Sequence, residues 1–175
     1  SGWCDDNPDK WENLQTLPYW NEKAYEKANP DMFSLQKNWA KEHIKEEHRI
    51  KDSIVTTMSA NKYNEKQSRA MSAHIDSGDY PEGLSTMAVF KDGDYSGAYL
   101  TFPQYGIAID IPDNTCALFD SQVMHGVTPI KGEGTRYSIT AYTDTRLATI
   151  GAAGKSERPI GHHNKDKRGS LEEFI

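Results

Sequence analysis

The sequence has few cysteines, no long apolar run and no signal-peptide core. Its two cysteines, Cys4 and Cys116, lie far apart, which excludes a disulfide framework or a zinc knuckle and is typical of a reducing compartment. No apolar run approaches the roughly 18 residues that a membrane span requires. We therefore expect a soluble, intracellular protein, nuclear or cytoplasmic. The lack of Met before Ser1 indicates a processed chain whose targeting signals could have been lost.

An excess of basic residues is also absent. The chain has 20 Lys and Arg against 26 Asp and Glu, a net charge of −6, which excludes binding of polyanions over its whole surface. Any contact with nucleic acid must therefore be local. The basic cluster KDKR at 165–168 is interpreted as part of a solvated tail. With 175 residues, 36% of them apolar, the chain can build one hydrophobic core, so we predict a single domain over residues 1–175.

The first 71 residues carry helix signals and few strand signals. Residues 1–30 are polar, rich in Trp and interrupted by proline, which predicts an irregular segment. Residues 31–71 have an amphipathic pattern that predicts helices, with start signals at residues 29–31 and a second short helix near 61–71. His43 and His48 fall in this charged stretch and are interpreted as surface residues.

The character of the sequence changes after residue 72. Short segments rich in β-branched and aromatic residues alternate with Gly- and Pro-containing turns, which predicts a β-sandwich or barrel over 72–147, followed by a polar tail at 148–175. The segments are STMAVF, GAYLTF, GIAIDI, CALFD and RYSITAYT. The fold class is therefore predicted to be α+β and mainly β, with N-terminal helices before the β-core.

A His-x-Asp pair, HID, marks the start of the β-region. Alternate side chains of a strand point to one face, so His74 and Asp76 would both project inward if this segment is extended. For a third ligand, His162 and His163 lie beyond the last strand, which leaves His125 at the end of an apolar segment. Two imidazoles and one carboxylate form the facial triad that leaves three positions on Fe(II) open for a cosubstrate and O2.

A cosubstrate such as 2-oxoglutarate needs a fixed cation for its distal carboxylate. Arg136 follows His125 by 11 residues, past the KGEG turn, and its planar fork can bind a carboxylate bidentately, as Lys cannot. Ser138 faces the same way and can add a hydroxyl donor. Arg136 and Ser138 are therefore predicted to bind the cosubstrate.

These motifs carry a family resemblance. The sequence HID, followed by HG and RYS, resembles the 2-oxoglutarate- and Fe(II)-dependent dioxygenases, whose fold is a double-stranded β-helix, or jelly roll. The run from HIDSGDYPEG through GAYLTFPQYGIAIDIPDNT and HGVTPI to TRYSITAYTDTRL resembles the TET/JBP branch over roughly residues 70–147. The resemblance implies hydroxylation of the methyl group of 5-methylcytosine or thymine in nucleic acid, with DNA favoured over RNA, and requires Fe(II), 2-oxoglutarate and O2.

Related metal sites differ at the same positions. A cupin would offer His-x-His and a Glu, which are absent, and a halogenating relative would replace Asp76 by a small residue. A JmjC-type demethylase would not take its cosubstrate from an arginine at this spacing. None of these three chemistries fits the residues as well as the dioxygenase does.

The resemblance also implies three substrate-binding positions, Asp79, Tyr142 and Asp144. Tyr142 could stack on a base removed from the duplex, or be a core aromatic. Asp79 could accept a hydrogen bond from an exocyclic amine, or be a turn residue. Asp144 stands where the TET pattern has a histidine. Beside N3 of a pyrimidine it would favour thymine, since a carboxylate only accepts hydrogen bonds. Asp79 at the exocyclic position would favour 5-methylcytosine, and N6-methyladenine could satisfy either carboxylate, so the base is left open.

Two other classes of function stay open at this point. A 2-oxoglutarate-dependent hydroxylase of a small molecule or a protein side chain would suit the acidic charge and the short chain. A binding module with a degenerate site is disfavoured because the metal-ligand set and Arg136 are intact. The oligomeric state is not indicated by the sequence.

Overall fold

The computed structural model describes residues 2–66 and 71–148, and only the backbone at Gly2 and Trp3. Helices come first and strands follow. The helices are α1 (Gly2–Asp6), α2 (Pro8–Leu14), α3 (Thr16–Ala28) and α4 (Pro30–His43). The strands are β1 (Thr57–Asn64), β2 (Met71–His74), β3 (Ser85–Asp92), β4 (Ser96–Gly97), β5 (Leu100–Phe102), β6 (Ile107–Ile109), β7 (Thr115–Phe119), β8 (His125–Val127), β9 (Ile130–Lys131) and β10 (Thr135–Tyr142).

Two four-stranded antiparallel sheets form the β-core. The major sheet has the order β1-β10-β3-β7 and the minor sheet the order β2-β8-β5-β6, while β4 and β9 form a separate pair. Consecutive strands repeatedly cross from one sheet to the other, as in a jelly roll. The prediction of an α+β fold, mainly β with a jelly-roll core behind N-terminal helices, is confirmed. Strands lie at all five segments predicted to be extended.

The apolar core lies between the two sheets. Met87 and Val89 of β3 pack with Phe119 of β7, Leu100 of β5 and Ile111, each 7% exposed or less. These side chains fill one part of the space between the sheets. The remainder is the cavity described below, which both polar and apolar side chains line.

Helices α3 and α4 cover the outer face of the major sheet. Asn21 of α3 donates to Thr86 Oγ1 of β3 at 3.2 Å, and Gln36 of α4 donates to Thr143 Oγ1 at 3.0 Å. Both donors are buried, so each bond removes a polar group that would otherwise be unsatisfied. Asn29 caps α4 by accepting from Met32 N at 3.2 Å, as predicted from the start signals.

The prediction that residues 1–30 are irregular is wrong, since α1, α2 and α3 lie there. Pro8 is the first residue of α2 and Pro18 lies in the first turn of α3, where proline removes no intrahelical hydrogen bond. The buried face of α3 includes Asn21 and Glu22, so its helical period is not visible as an apolar pattern.

The prediction of helices over residues 31–71 holds for α4, which ends at His43, and for one 3-10 helical turn at Glu46–His48. Residues 57–64 form β1, and Met71 begins β2, where a second helix was predicted. Strand β1 pairs over its whole length with β10. Its inward side chains are polar because they face the cavity, so the apolar alternation typical of a strand is missing. The β-core therefore begins at Thr57 rather than at residue 72.

Two predictions depend on residues that are not described. The tail was predicted at 148–175, and residues 149–175, with His162, His163 and the KDKR cluster, lie outside the described ranges. The single-domain prediction for 1–175 extends over the same residues and stays a prediction. Over residues 2–66 and 71–148, no helix combines the length and the apolar character that crossing a bilayer requires.

Glu22 makes the stability of the helical layer dependent on pH. Burial raises the pKa of this carboxyl, although Ser53 Oγ and the Ile54 amide donate to it. The folded chain therefore holds the proton more tightly than the unfolded chain does. Stability falls as the pH rises from the ordinary pKa of 4.5 through the raised value.

We expect Glu22→Gln to remove the loss of stability at rising pH, because a neutral amide has no charge to desolvate. The measurement is the free energy of unfolding in denaturant at several pH values between about 4 and 8. The exposed Glu26, paired with Lys23 at 3.1 Å, provides the control Glu26→Gln, which should follow the wild type. A Glu22→Gln curve parallel to the wild type would show that the carboxyl is not the cause.

Candidate active site

Three candidate metal ligands converge at the edge of the minor sheet. His74 ends β2, His125 begins β8, and the two residues are cross-strand partners. Asp76 lies just after β2 rather than within it, where its amide donates to Ser121 O at 3.0 Å. The donor atoms of the three side chains all lie within 4.8 Å of one another. In the part of the chain that is described, this is the one cluster of three or more such groups.

Each imidazole is oriented by its own backbone. His74 Nδ1 lies 2.8 Å from Ser72 O, and His125 Nδ1 lies 2.9 Å from Val123 O. A carbonyl only accepts, so each Nδ1 carries a hydrogen, and each Nε2 faces the space beside Asp76. Metal-binding histidines are held in this way by partners of their second ring nitrogen.

The electrostatics of the cluster also fit a cation. His74 Nε2 lies 3.3 Å from Asp76 Oδ1, and His125 Nε2 lies 3.5 Å from Asp76 Oδ2. Burial raises the pKa of Asp76, but its contacts with the two imidazoles outweigh this and hold the pKa well below its usual range. The contact with Asp76 likewise raises the pKa of His74. The carboxylate thus attracts positive charge into the gap, and a metal ion would supply that charge without a proton.

Close approach of two strands brings the histidines together. Gly126, next to His125, faces β2, and a Cβ there would lie 2.7 Å from Met71 O. The absence of a side chain lets β8 approach β2 closely. The imidazole rings consequently lie with their centroids 4.6 Å apart.

The three candidate metal ligands lie in a cavity of about 860 Å³ between the two sheets. One wall carries His74, Asp76 and His125. The opposite wall consists of polar side chains of β1 and β10, which are Ser59, Asn61, Tyr63, Ser138, Thr140 and Tyr142. Because β1 and β10 are paired in register, these side chains alternate inward from both strands. The cavity is within the range of small-molecule sites.

Arg136 is a buried cation with no anionic partner among the described residues. It is 2% exposed, and its recorded polar contact is Nη2 to Met87 Sδ at 3.6 Å. Its guanidinium carbon lies 5.9 Å from the ring centroid of Tyr63, and both Met87 and Tyr63 line the cavity. Burial lowers the pKa of this guanidinium. Burying a charge without a nearby counter-ion costs free energy, so the Arg136 guanidinium favours binding of an anionic group that is not part of the described residues.

Two further donors accompany Arg136. Ser138, two residues along β10, is 2% exposed, lines the cavity and makes no side-chain hydrogen bond to a described residue. The hydroxyl of Tyr95 is buried without a partner in the described residues, and it interacts electrostatically with Arg136. Hydroxyl and guanidinium donors therefore occur together, and the described residues offer few hydrogen-bond acceptors to them.

The predicted substrate residues Asp79 and Tyr142 both line the cavity. Asp79 is 5% exposed and accepts from Ser85 Oγ at 2.6 Å. Burial, assisted by the neighbouring carboxylates, raises its pKa to about 6. Asp79 is therefore mostly an ionised acceptor at neutral pH. Tyr142 is half-buried at the end of β10.

Asp144 is placed differently. It forms an isolated antiparallel bridge with Asp79, which brings the chain back past the cavity rim. Its carboxylate is bound by Arg146 on two sides, with Nε to Oδ1 at 2.8 Å and Nη2 to Oδ2 at 2.6 Å. Arg146, not Asp144, is among the residues that line the cavity.

Sequence reasoning missed two residues that line the cavity, Tyr63 and Arg146, and a third, Tyr95, that interacts electrostatically with Arg136. Tyr63 lies in a segment predicted to be helical, although the period-two pattern of Ser59, Asn61 and Tyr63 was present. Tyr95 and Arg146 follow turns and carry no spacing signal. His43 and His48 were predicted to be surface residues, and their side chains are 45% and 31% exposed. Neither belongs to the group of candidate metal ligands.

Comparisons with known proteins agree with this geometry. Thymine dioxygenase JBP1 of Trypanosoma brucei brucei is 25% identical over 124 residues, and the sequence from strain 927/4 GUTat10.1 gives the same figures. The match covers 71% of this chain, which spans 14% of the length of those curated relatives. The solved structure of NgTET1 in complex with 5mC DNA has a TM-score of 0.61 at 11% identity, over 74% of this chain and 48% of that one, and so shares its fold.

The family assignment rests on a wider match. The family model Tet_JBP, described as the oxygenase domain of the 2OGFeDO superfamily, matches residues 5–145. That range includes the three candidate metal ligands, Arg136 and both sheets. The chain belongs to the Tet_JBP family of oxygenase domains.

Proposed function

We propose that this chain is an Fe(II)- and 2-oxoglutarate-dependent dioxygenase that hydroxylates the methyl group of a pyrimidine, 5-methylcytosine or thymine, in DNA. The observation that carries the proposal is the pairing of two features of one cavity. A convergent His-Asp-His cluster occupies one wall, and the buried Arg136, without an anionic partner in the described chain, lies behind the other.

His74, Asp76 and His125 would hold Fe(II). Their ligand set is the two-histidine, one-carboxylate triad that leaves coordination positions open. When bound together, Fe(II), 2-oxoglutarate and O2 convert a C–H bond into C–OH, with succinate and CO2 as the other products. The backbone carbonyls of Ser72 and Val123 keep each Nε2 directed at the metal position.

Arg136 would bind the distal carboxylate of 2-oxoglutarate, with Ser138 as an additional donor. The guanidinium is already buried before the cosubstrate arrives, and no described carboxylate forms a salt bridge with it, so it is available to a carboxylate that enters the cavity. A bidentate, charge-assisted pair is strong and fixes the orientation of the keto acid relative to the metal position.

Three observations support a base in DNA as the substrate. The chain belongs to the Tet_JBP family, its curated relative is named a thymine dioxygenase, and its structural neighbour was solved with 5mC DNA. The half-buried Tyr142 offers a ring for stacking on an extruded base, which chemistry on a paired base requires. Asp79 offers an acceptor for a base edge. Asp144 could interact with the base only after leaving Arg146.

The experiment incubates the chain with Fe(II), 2-oxoglutarate and DNA that contains unmodified thymine or 5-methylcytosine. The DNA is then digested and its nucleosides are measured by mass. We expect one of the two bases to gain a single oxygen faster than the other does, and Asp79→Ala to change the ratio of the two rates because it removes an acceptor at the base edge.

The outcomes separate the alternatives. If 2-oxoglutarate is consumed with a small molecule or a peptide while neither base is oxidised, a hydroxylase of another substrate class replaces this proposal. If a base is oxidised and Asp79→Ala leaves the ratio unchanged, the assignment of Asp79 alone fails.

A further inference from the structure

Arg146 occupies the cavity rim in a fixed position. Its Nε and Nη2 donate to the two carboxylate oxygens of Asp144, and its own amide donates to Asp144 Oδ1 at 2.9 Å. The side chain of Asp144 is 11% exposed, while that of Arg146 is 59% exposed. The anion of this pair is thus buried, and the cation faces solvent at the mouth of the cavity.

The guanidinium also lies against the backbone. A Cβ added at Gly78 would lie 3.1 Å from Nε, Cζ and Nη2 of Arg146, so the absence of a side chain at Gly78 leaves room for the guanidinium. A guanidinium held by a carboxylate on one edge and by backbone on one side loses much of its conformational freedom. Less entropy remains to be lost when a ligand binds.

Because the molecule has a negative net charge, a cation at the cavity rim is important for attracting a polyanion. The net charge is −6, so a polyanion must be attracted locally. Among the described residues that line the cavity, Arg146 is the only Lys or Arg. When a nucleotide leaves the duplex and its base enters the cavity, its flanking phosphates remain at the rim, where Arg146 lies.

We propose that Arg146 binds a phosphate next to the extruded nucleotide, and that Asp144 is a positioning residue for Arg146 and not a reader of the base. This inference rests on the proposed DNA substrate and adds a binding residue to it. The phosphate contributes affinity and orientation without base specificity. Asp79 and Tyr142 then remain as the base-facing side chains.

The test measures binding of a duplex that contains the base that the wild type oxidises. Fe(II) and 2-oxoglutarate are present, O2 is excluded, and the measurement is repeated at several salt concentrations. Arg146→Gln should weaken binding by up to roughly fivefold, the range of a partly exposed charge contact. It should also reduce the slope of log affinity against log salt by about one. Lys62 is an exposed cation on the outward side of β1. Lys62→Gln should leave the affinity for DNA and the salt slope unchanged.

Two further variants separate the roles. Arg146→Lys keeps the charge and should keep the salt slope, so it shows that a loss in Arg146→Gln is not due to misfolding. Asp144→Asn should weaken DNA binding less than Arg146→Gln does and leave the preference between thymine and 5-methylcytosine unchanged. Binding of 2-oxoglutarate should persist in all three, since Arg136 lies roughly 20 Å along β10 from Tyr142.

Other results would overturn the inference. An unchanged salt slope in Arg146→Gln would show that Arg146 only neutralises Asp144. A switch of base preference in Asp144→Asn, absent from Arg146→Gln, would return Asp144 to the base. In either case the wild type still oxidises DNA and the proposed function stands, whereas a wild type that neither binds nor oxidises DNA refutes both proposals.

Discussion

Asp76→Ala is expected to abolish stoichiometric Fe(II) binding and base oxidation while leaving the fold intact. The carboxylate of Asp76 lies between the two imidazoles and its recorded side-chain contacts are with them. Its loss would remove the anionic group from the proposed triad. The effect should exceed the roughly 10–100-fold loss of metal affinity that follows removal of an outer partner of a ligand. The measurements are anaerobic Fe(II) titration, product mass and thermal unfolding.

Asp92 provides the matched control. It is an exposed carboxylate at the end of β3, outside the cavity lining. Asp92→Ala should bind Fe(II) and oxidise DNA as the wild type does. Retention of one equivalent of Fe(II) by Asp76→Ala would show that the metal lies elsewhere.

Arg136→Met should nearly eliminate 2-oxoglutarate binding without lowering the stability of the free protein. The guanidinium is buried, forms no salt bridge with a described residue, and has one weak hydrogen bond, to the sulfur of Met87. Methionine removes the cost of burying that charge while keeping an unbranched apolar stem. A bond to a charged group contributes about 1.5–3 kcal/mol, so the loss of affinity should be tenfold or more. Arg136→Lys should also lose about tenfold, because it lacks the bidentate fork.

A keto acid without a distal carboxylate provides a control for the role of Arg136. 2-Oxobutanoate lacks the distal carboxylate, so its weak binding should be the same in the wild type and in Arg136→Met. Saturating 2-oxoglutarate should raise the melting temperature of the wild type and not that of the variant. If Arg136→Met unfolds at a much lower temperature, or binds 2-oxoglutarate normally, the guanidinium has a structural role.

The β-core and the convergence of the candidate metal ligands could be predicted from the sequence because their signals are local. RYSITAYT alternates over the length of a strand, and HID places two candidate ligands within three residues. His125 and Arg136 follow from chain order once a jelly roll is assumed. The structure then places His74 directly opposite His125.

The errors arose where tertiary structure changes the meaning of a local pattern. β1 has polar inward residues because it faces a cavity, and pairing with β10 makes it a strand in spite of its composition. The buried face of α3 carries Asn21 and Glu22, whose partners come from distant segments. Arg146 reaches the rim because the bridge between Asp79 and Asp144 turns the chain back, which no local pattern encodes.

The central claim is that oxygen from O2 is transferred to a pyrimidine methyl group in DNA at the expense of 2-oxoglutarate. The most direct measurement supplies isotopically heavy O2 and determines the masses of the digested nucleosides and of succinate from the same reaction. The account predicts one heavy oxygen in the hydroxymethyl nucleoside and an equal amount of singly labelled succinate. Labelled succinate alongside unaltered nucleosides would contradict it.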